Sequence, residues 1–277
     1  MLHKATAIQA TGRRSDKATT GYWRPGSPPL GVCPSPLLLI LLSSLGCDGR
    51  PHTAEREKWR VFSPEQNYEI ALKAENADAR RRAVGRIGRS RQAASEDAFA
   101  VLDAVARTDP NDQTRCVAIR VLMGYDDPRP VTTMLAILDP KPDRPEALPA
   151  SPPVRWDATA ALVEFQARGL IGDDRSREAL DVLLRLALHD GNRDVKRTAV
   201  VGLGSFRDVR AVRALIAALR DKDYGIAHEA AKSLRALTGR DYQLDADGWE
   251  SWLNAASDPF DSNAGAASQP ATAARAN

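Results

Sequence analysis

Aromatic residues are scarce in this chain of 277 residues: Phe, Trp and Tyr together make up only 5%. A sandwich or barrel draws heavily on aromatic and β-branched strands, so that scarcity disfavours an all-β fold and points to an aliphatic core. Cysteine is limited to Cys33, Cys47 and Cys116, with neither a disulfide framework nor metal-ligand spacing among them. Net charge is small, +3, too little to announce a nucleic-acid binder. Most of it resides in residues 1–47, which carry five cations against Asp16; the remainder is close to neutral. No apolar run is long enough to span a hydrocarbon core of about 30 Å as a helix. The longest such stretch, 36–46, built on the wholly apolar Leu37–Leu42, has the length of a signal-peptide hydrophobic region.

That run leads through Ser44-Leu45-Gly46 to Cys47. The arrangement resembles a bacterial lipoprotein lipobox. The resemblance implies cleavage before Cys47, a diacylglyceryl group on its thiol, and a lipid-anchored location at the cell envelope. Two other readings of the same residues are an ordinary secretory or periplasmic protein, and an apolar segment docked on the domain. The long Pro- and Gly-containing stretch ahead of Pro36 fits a true start downstream of Met1. With Cys33 removed and Cys47 acylated, Cys116 remains, on an apolar helical pattern, as a small buried hydrophobe.

What the chain has in quantity is an internal repeat. Segments 76–88, 111–124, 154–165, 192–206 and 223–239 align around Ala83, Ala118, Ala158, Ala199 and Ala230. Four residues after each alanine stands an aliphatic: Ile87, Leu122, Leu162, Leu203 and Leu234. That spacing places both on one helix face, the alanine admitting a neighbouring helix closely and the aliphatic filling its groove. Apolar helical stretches precede the later copies, at 98–107, 131–138, 178–188 and 209–219. Turns such as Asp109-Pro110-Asn111-Asp112 and His189-Asp190-Gly191-Asn192 separate the two and offer helix N-caps. Helical hairpins of this size cannot bury their apolar faces alone; stacked copies can.

The run Asp194-Val195-Lys196-Arg197-Thr198-Ala199-Val200-Val201-Gly202-Leu203-Gly204 resembles the second helix of HEAT repeats, of the HEAT-like or PBS-lyase type found in bacteria. The resemblance covers about residues 64–253 and implies an all-α HEAT-type α-solenoid of about five hairpins. Leu237–Tyr242 and Trp249–Leu253 resemble the C-terminal cap of such proteins, with Trp249 and Trp252 closing the core. The expected organisation is a leader over 1–47, a linker over 48–63, the solenoid over 64–253 and a disordered tail over 254–277. A Pro-rich loop, 139–153, interrupts the third repeat; its six prolines are incompatible with a helix interior.

Three residues before the anchor alanine, four copies carry a cation: Arg80, Arg115, Arg155 and Lys196; the fifth has Ala227. In a solenoid such positions align along one surface. They form either an anion-recognising stripe or a set of pairs with the turn acids of the repeats. Arg80–Arg91 holds six arginines and no acid, which offers a site for phosphates, lipid headgroups or an acidic partner. Trp156 could stack on a ligand. His228-Glu229 resembles one His-Glu pair of the deoxyhypusine hydroxylases, but one pair cannot hold a di-iron centre. No Ser-His-Asp or Cys-His set can be placed, and no cofactor is expected.

The expectation is therefore a non-catalytic scaffold at the bacterial envelope. It would bind a protein or peptide client on its concave face through Arg80, Arg115, Arg155, Trp156 and Lys196, and the membrane through lipidated Cys47. Nucleic acid is not expected as a partner. The alternatives are a phycobilin-lyase-like or DNA-glycosylase-like enzyme, and a direct binder of anionic membranes or polyanions through Arg80–Arg91.

Overall fold

The computed structural model describes residues 62–143, 146–256 and 258–260. The chain divides after Glu55, and the described residues lie within its second unit, Arg56–Asn277. The leader, with Cys33 and Cys47, falls outside the described residues.

Among the described residues there are eleven α-helices and no strand. They are α1 (Pro64–Lys73), α2 (Ala77–Gly88), α3 (Glu96–Thr108), α4 (Asp112–Met123), α5 (Arg129–Leu138) and α6 (Pro152–Ala167), followed by α7 (Asp173–His189), α8 (Arg193–Leu203), α9 (Val209–Ala218), α10 (Tyr224–Thr238) and α11 (Ala246–Ala255). Consecutive helices pair into five hairpins. The first helices (α1, α3, α5, α7, α9) pack in one layer, the second helices (α2, α4, α6, α8, α10) in another, and α11 closes the first layer against α9. This is an α-solenoid.

Local chemistry sets the helix starts. Ser63 accepts the backbone N–H of Gln66 while the Gln66 side chain accepts the N–H of Ser63, with Pro64 at the first helical position. Asn76, Asn111, Asn192 and Asp223 cap α2, α4, α8 and α10 with their side-chain oxygens. Gly239, at φ 69°, ends α10 in the left-handed region that a side chain would resist.

The five anchor alanines and their aliphatic partners are all buried in one continuous core running from Ala71 to Trp249. Small residues set the spacing of the second-helix layer. A Cβ on Gly202 of α8 would lie 2.5 Å from Val163 Cγ2 of α6 and 3.2 Å from Leu183 Cδ1 of α7. Helix α8 therefore approaches both neighbours more closely than any residue with a side chain there would allow.

The loop between α5 and α6 is shorter than the Pro-rich stretch. Pro152 and Pro153 open α6, where a missing N–H costs nothing because the first turn has no internal acceptor to meet. At the C-terminal end of the array α11 runs to Ala255. Phe260 still packs on the core, its carbonyl accepting Arg207 Nη2 at 2.7 Å. The ordered array thus reaches past residue 253, and the expected disordered tail does not start at 254. Trp249 is fully buried, edge-on to both Tyr242 and Trp252, and its indole N–H donates to the Gln243 carbonyl at 3.2 Å.

Candidate functional site

The cation ladder is the framework's own. Arg80, on α2, donates Nε to Asp109 Oδ2 at 2.7 Å and Nη2 to Asp109 Oδ1 at 2.9 Å. Its Nη1 serves the carbonyls of Ala74 and Glu75, in the turn of its own hairpin. Arg155, on α6, repeats this pattern: Nε and Nη2 take the two oxygens of Asp190 at 2.7 and 2.9 Å, and Nη1 donates to Ala150. Lys196, on α8, reaches Asp221 at 2.5 Å. Each cation therefore joins its own hairpin to the turn of the next.

The acceptor carboxylates are themselves locked. Asp109, Asp190 and Asp221 accept the backbone N–H of Asn111, Asn192 and Asp223, the residues that cap the second helices. Burial works against the charge on Asp190, but Arg155 and the Asn192 N–H outweigh it, and the carboxyl sits below its usual range. Lys196 first, then the Asp223 N–H, hold Asp221 below that range too.

Arg115 departs from the pattern because the Pro-rich loop occupies the place of the next turn. It donates to backbone alone: Ala106 O at 3.0 Å, Pro149 O at 3.0 Å and Leu148 O at 3.1 Å. Burial pulls its pKa down. Arg107 fastens the same loop through the Glu146 carbonyl, and its own carbonyl accepts the Leu148 N–H at 2.9 Å.

These placements correct the expected contact set. Arg80 is 8% and Arg115 1% exposed, with their donors spent inside the array, so neither reaches a client. Arg155 and Lys196 are partly accessible but committed to Asp190 and Asp221. Trp156 is different. It is 41% exposed on α6, and its Nε1 donates to Thr198 Oγ1 of α8 at 3.0 Å.

Two other second helices expose residues that the periodicity passed over. Val201 of α8 is 41% exposed and Tyr224 of α10 is 69% exposed, the latter stacked on His228 at 5.9 Å between ring centroids. The signal for Val201 is its place one residue after the core pair Ala199 and Val200, where the other copies carry Gly85, Arg120, Ala160 and Lys232. All of these residues belong to second helices.

At the other end of the same layer the run Arg80–Arg91 resolves into separate roles. Arg81 pairs with Asp78 at 2.8 Å and donates to Gln113 at 2.5 Å. Arg86 donates to Asn67 Oδ1 at 2.6 Å and lies over the Phe62 ring at 4.5 Å. Its pKa is lowered, first by burial and then by the charges of Arg82 and Arg89. Among the described residues, Arg82, Arg89 and Arg91 form no side-chain hydrogen bond or ion pair.

Cys116 is free and buried on α4. Burial, and then the carboxylate of Asp157, push its thiol up to about 12, so it is a neutral packing residue at physiological pH. Among the described residues no cluster of His, Cys, Asp and Glu could hold a metal ion, and no helix is long and apolar enough to cross a membrane.

Residues 148–235, from the end of the Pro-rich loop through most of α10, match the family model described as HEAT repeats. No curated protein matches the chain. Among solved structures, a designed armadillo repeat protein superposes with a TM-score of 0.47 at 15% identity, over 71% of this chain and 94% of that one.

Proposed function

We propose that this HEAT-type repeat protein is a non-catalytic scaffold that holds a protein client on the face built by its second helices. The carrying observation is the accessible set Trp156, Val201 and Tyr224, spread over three successive hairpins of one layer. Monomeric surfaces scatter apolar residues singly, whereas a run along one layer offers anchors of the kind that dominate binding energy. More of the packing between successive hairpins runs through the second helices than through the first. On this reading the second helices form the inner side of the solenoid and the client lies along a pre-formed surface.

The client would meet this face at the bacterial envelope. Support for that location is the apolar run Leu37–Leu42 followed by Gly46 and Cys47, with lipidation at Cys47 as the anchor. Ordinary export to the periplasm is the alternative consistent with the same leader.

The test is site-specific photo-crosslinking in the native host. A crosslinking side chain replaces Val201 or Tyr224, or, as the control, exposed Leu188 on first helix α7. One discrete adduct from the second-helix sites and none from Leu188 is the expected outcome. Equal or absent crosslinking from both faces would remove the reading. Intact mass of the membrane and soluble fractions tests the anchor separately: a membrane species starting at acylated Cys47 supports it, and a soluble species that retains residues before Cys47 rejects it.

A further inference from the structure

We infer that the second-helix face reads an extended acidic segment of its client, with carboxylates seated between Arg82 and Arg89 and an apolar side chain against Trp156. This rests on the scaffold reading above and adds the chemistry of the partner.

The seat is a cavity of ≈ 440 Å³ lined by Arg81, Arg82, Gly85, Arg86, Arg89 and Val117. Three features make it a place for an anion. First, Arg82 and Arg86 of α2 and Arg89 at its C-cap follow one another at helical spacing, with no acid between them. Second, the crowding is electrostatically felt, since the charges of Arg82 and Arg89 both disfavour protonated Arg86. An anion between them relieves that repulsion. Third, Gly85 lets the Arg89 guanidinium fold over the helix: a Cβ there would stand 3.3 Å from Arg89 Nη1. Arg86 is held by Asn67 and Phe62, which fixes the back of the cavity, while Arg82 and Arg89 have donors to spare.

A carboxylate-bearing chain fits better than a lipid surface. The cavity is a shallow hollow along the Arg81–Arg89 stretch, bounded by Val117 of α4, in the layer of second helices that also carries Trp156. A bilayer presents its headgroups as a sheet and favours protruding cations, whereas a chain can lower one side chain into a hollow and continue along the layer. Between the two anchors lies Arg120 of α4, more than half exposed although paired with Asp157, a further cation on the path.

The spacing follows from helix packing. Helices in contact lie about 10 Å apart. From α2 to α6 is two steps, about 20 Å, which about six extended residues cover. The recognised segment therefore carries two or three Asp or Glu residues about six positions from a large apolar side chain.

The experiment uses the full chain and a fluorescent synthetic peptide of about twelve residues, with three Glu at one end, a Ser-Gly spacer and one Trp about six positions away. Saturable binding is expected. It should weaken about tenfold or more in R82Q/R89Q, and separately in W156A, as the loss of charge-assisted bonds and of an aromatic anchor requires. It should also disappear for the peptide with Gln in place of Glu. Among the described residues Arg82 and Arg89 make no side-chain hydrogen bond or ion pair, so R82Q/R89Q should keep its melting temperature. Equal binding of the Glu and Gln peptides, or unchanged binding in R82Q/R89Q, would overturn the inference. So would binding to vesicles of phosphatidylglycerol without binding to the Glu peptide, which would assign the arginines to a lipid surface. If Val201 crosslinks a client equally well in wild type and R82Q/R89Q, the scaffold reading stands and the acidic-segment inference falls alone.

Discussion

Arg80 and Asp109 meet through two parallel bonds across the boundary of the first and second hairpins, and both side chains are shielded from solvent. The contact joins residues 29 positions apart and ties the turn that positions α4. Arg155 and Asp190 repeat it two hairpins later.

Removing one member of such a pair strands the other without a partner. R80A should lower stability by about 3 kcal/mol. R80K should recover only a part, because an ammonium cannot give two parallel bonds to one carboxylate. The R80A/D109A double variant should cost less than the two single changes added together. Urea unfolding followed by circular dichroism measures wild type, R80A, R80K, D109A and the double variant.

Acid should loosen the array at its later joints. Asp190 and Asp221 titrate below their ordinary range in the folded state. Their contribution to stability is complete above the unfolded carboxylate value, about 3.9, and is lost as pH falls through the lower folded values. The D190N/D221N variant should already lack this contribution at pH 7 and should show a shallower stability loss between about pH 5 and pH 2. Urea midpoints across that range decide it; parallel curves for variant and wild type would count against the assignment.

Gly202 should be nearly irreplaceable despite its place inside a helix. Alanine gains about 1 kcal/mol in helix propensity, but its methyl would occupy the space of Val163 Cγ2, 2.5 Å away. Overpacking costs about 1–3 kcal/mol, so G202A should be destabilising on balance. V163A in the same chain should restore part of the loss, measured as the shift in thermal midpoint.

The two ends of the aromatic inventory should behave in opposite ways. W249A removes a fully buried ring and should cost about 3–5 kcal/mol, with hydrogen exchange rising first in α11 and α10. W156A, at an exposed ring held by one bond to Thr198, should cost about 1 kcal/mol or less and leave exchange in α6 close to wild type.

Cys116 should resist alkylation. Its thiol is buried and raised to about 12, so peptide-level labelling with iodoacetamide should be slow in native protein and fast in urea. Rapid native labelling would place it at an opening of the array.

The second helices were the most legible part of the chain, because the alanine-to-aliphatic spacing around Ala83, Ala118, Ala158, Ala199 and Ala230 is a packing rule written into the residues themselves. The cations were legible as a series but not as a role. Whether Arg80 faces a client or Asp109 depends on where the next hairpin puts its turn, which is a non-local fact. The exception at Ala227 makes sense once the pairs are seen: after the fifth hairpin comes α11, and among the described residues no further turn of that kind follows to be fastened. Ala74 shows the converse, standing in the first turn where Asp109 and Asp190 stand later. Val201 and Tyr224 were missed because an apolar residue on a helix reads as core until a neighbour fails to cover it. The Pro-rich stretch is not loop to its end, because proline density alone does not distinguish a loop from the two prolines that start a helix.

The Pro-rich loop is fastened to Arg115 and Arg107 through main-chain atoms only, at Glu146, Leu148 and Pro149. Carbonyls are supplied by every amino acid alike. The joint between the second and third hairpins is therefore indifferent to which side chains occupy those positions but sensitive to the path and number of residues around them. Point substitutions there should accumulate freely over evolutionary time, while small insertions and deletions should not. The opposite holds at Asp109 or Asp190, where a single nucleotide change removes the link.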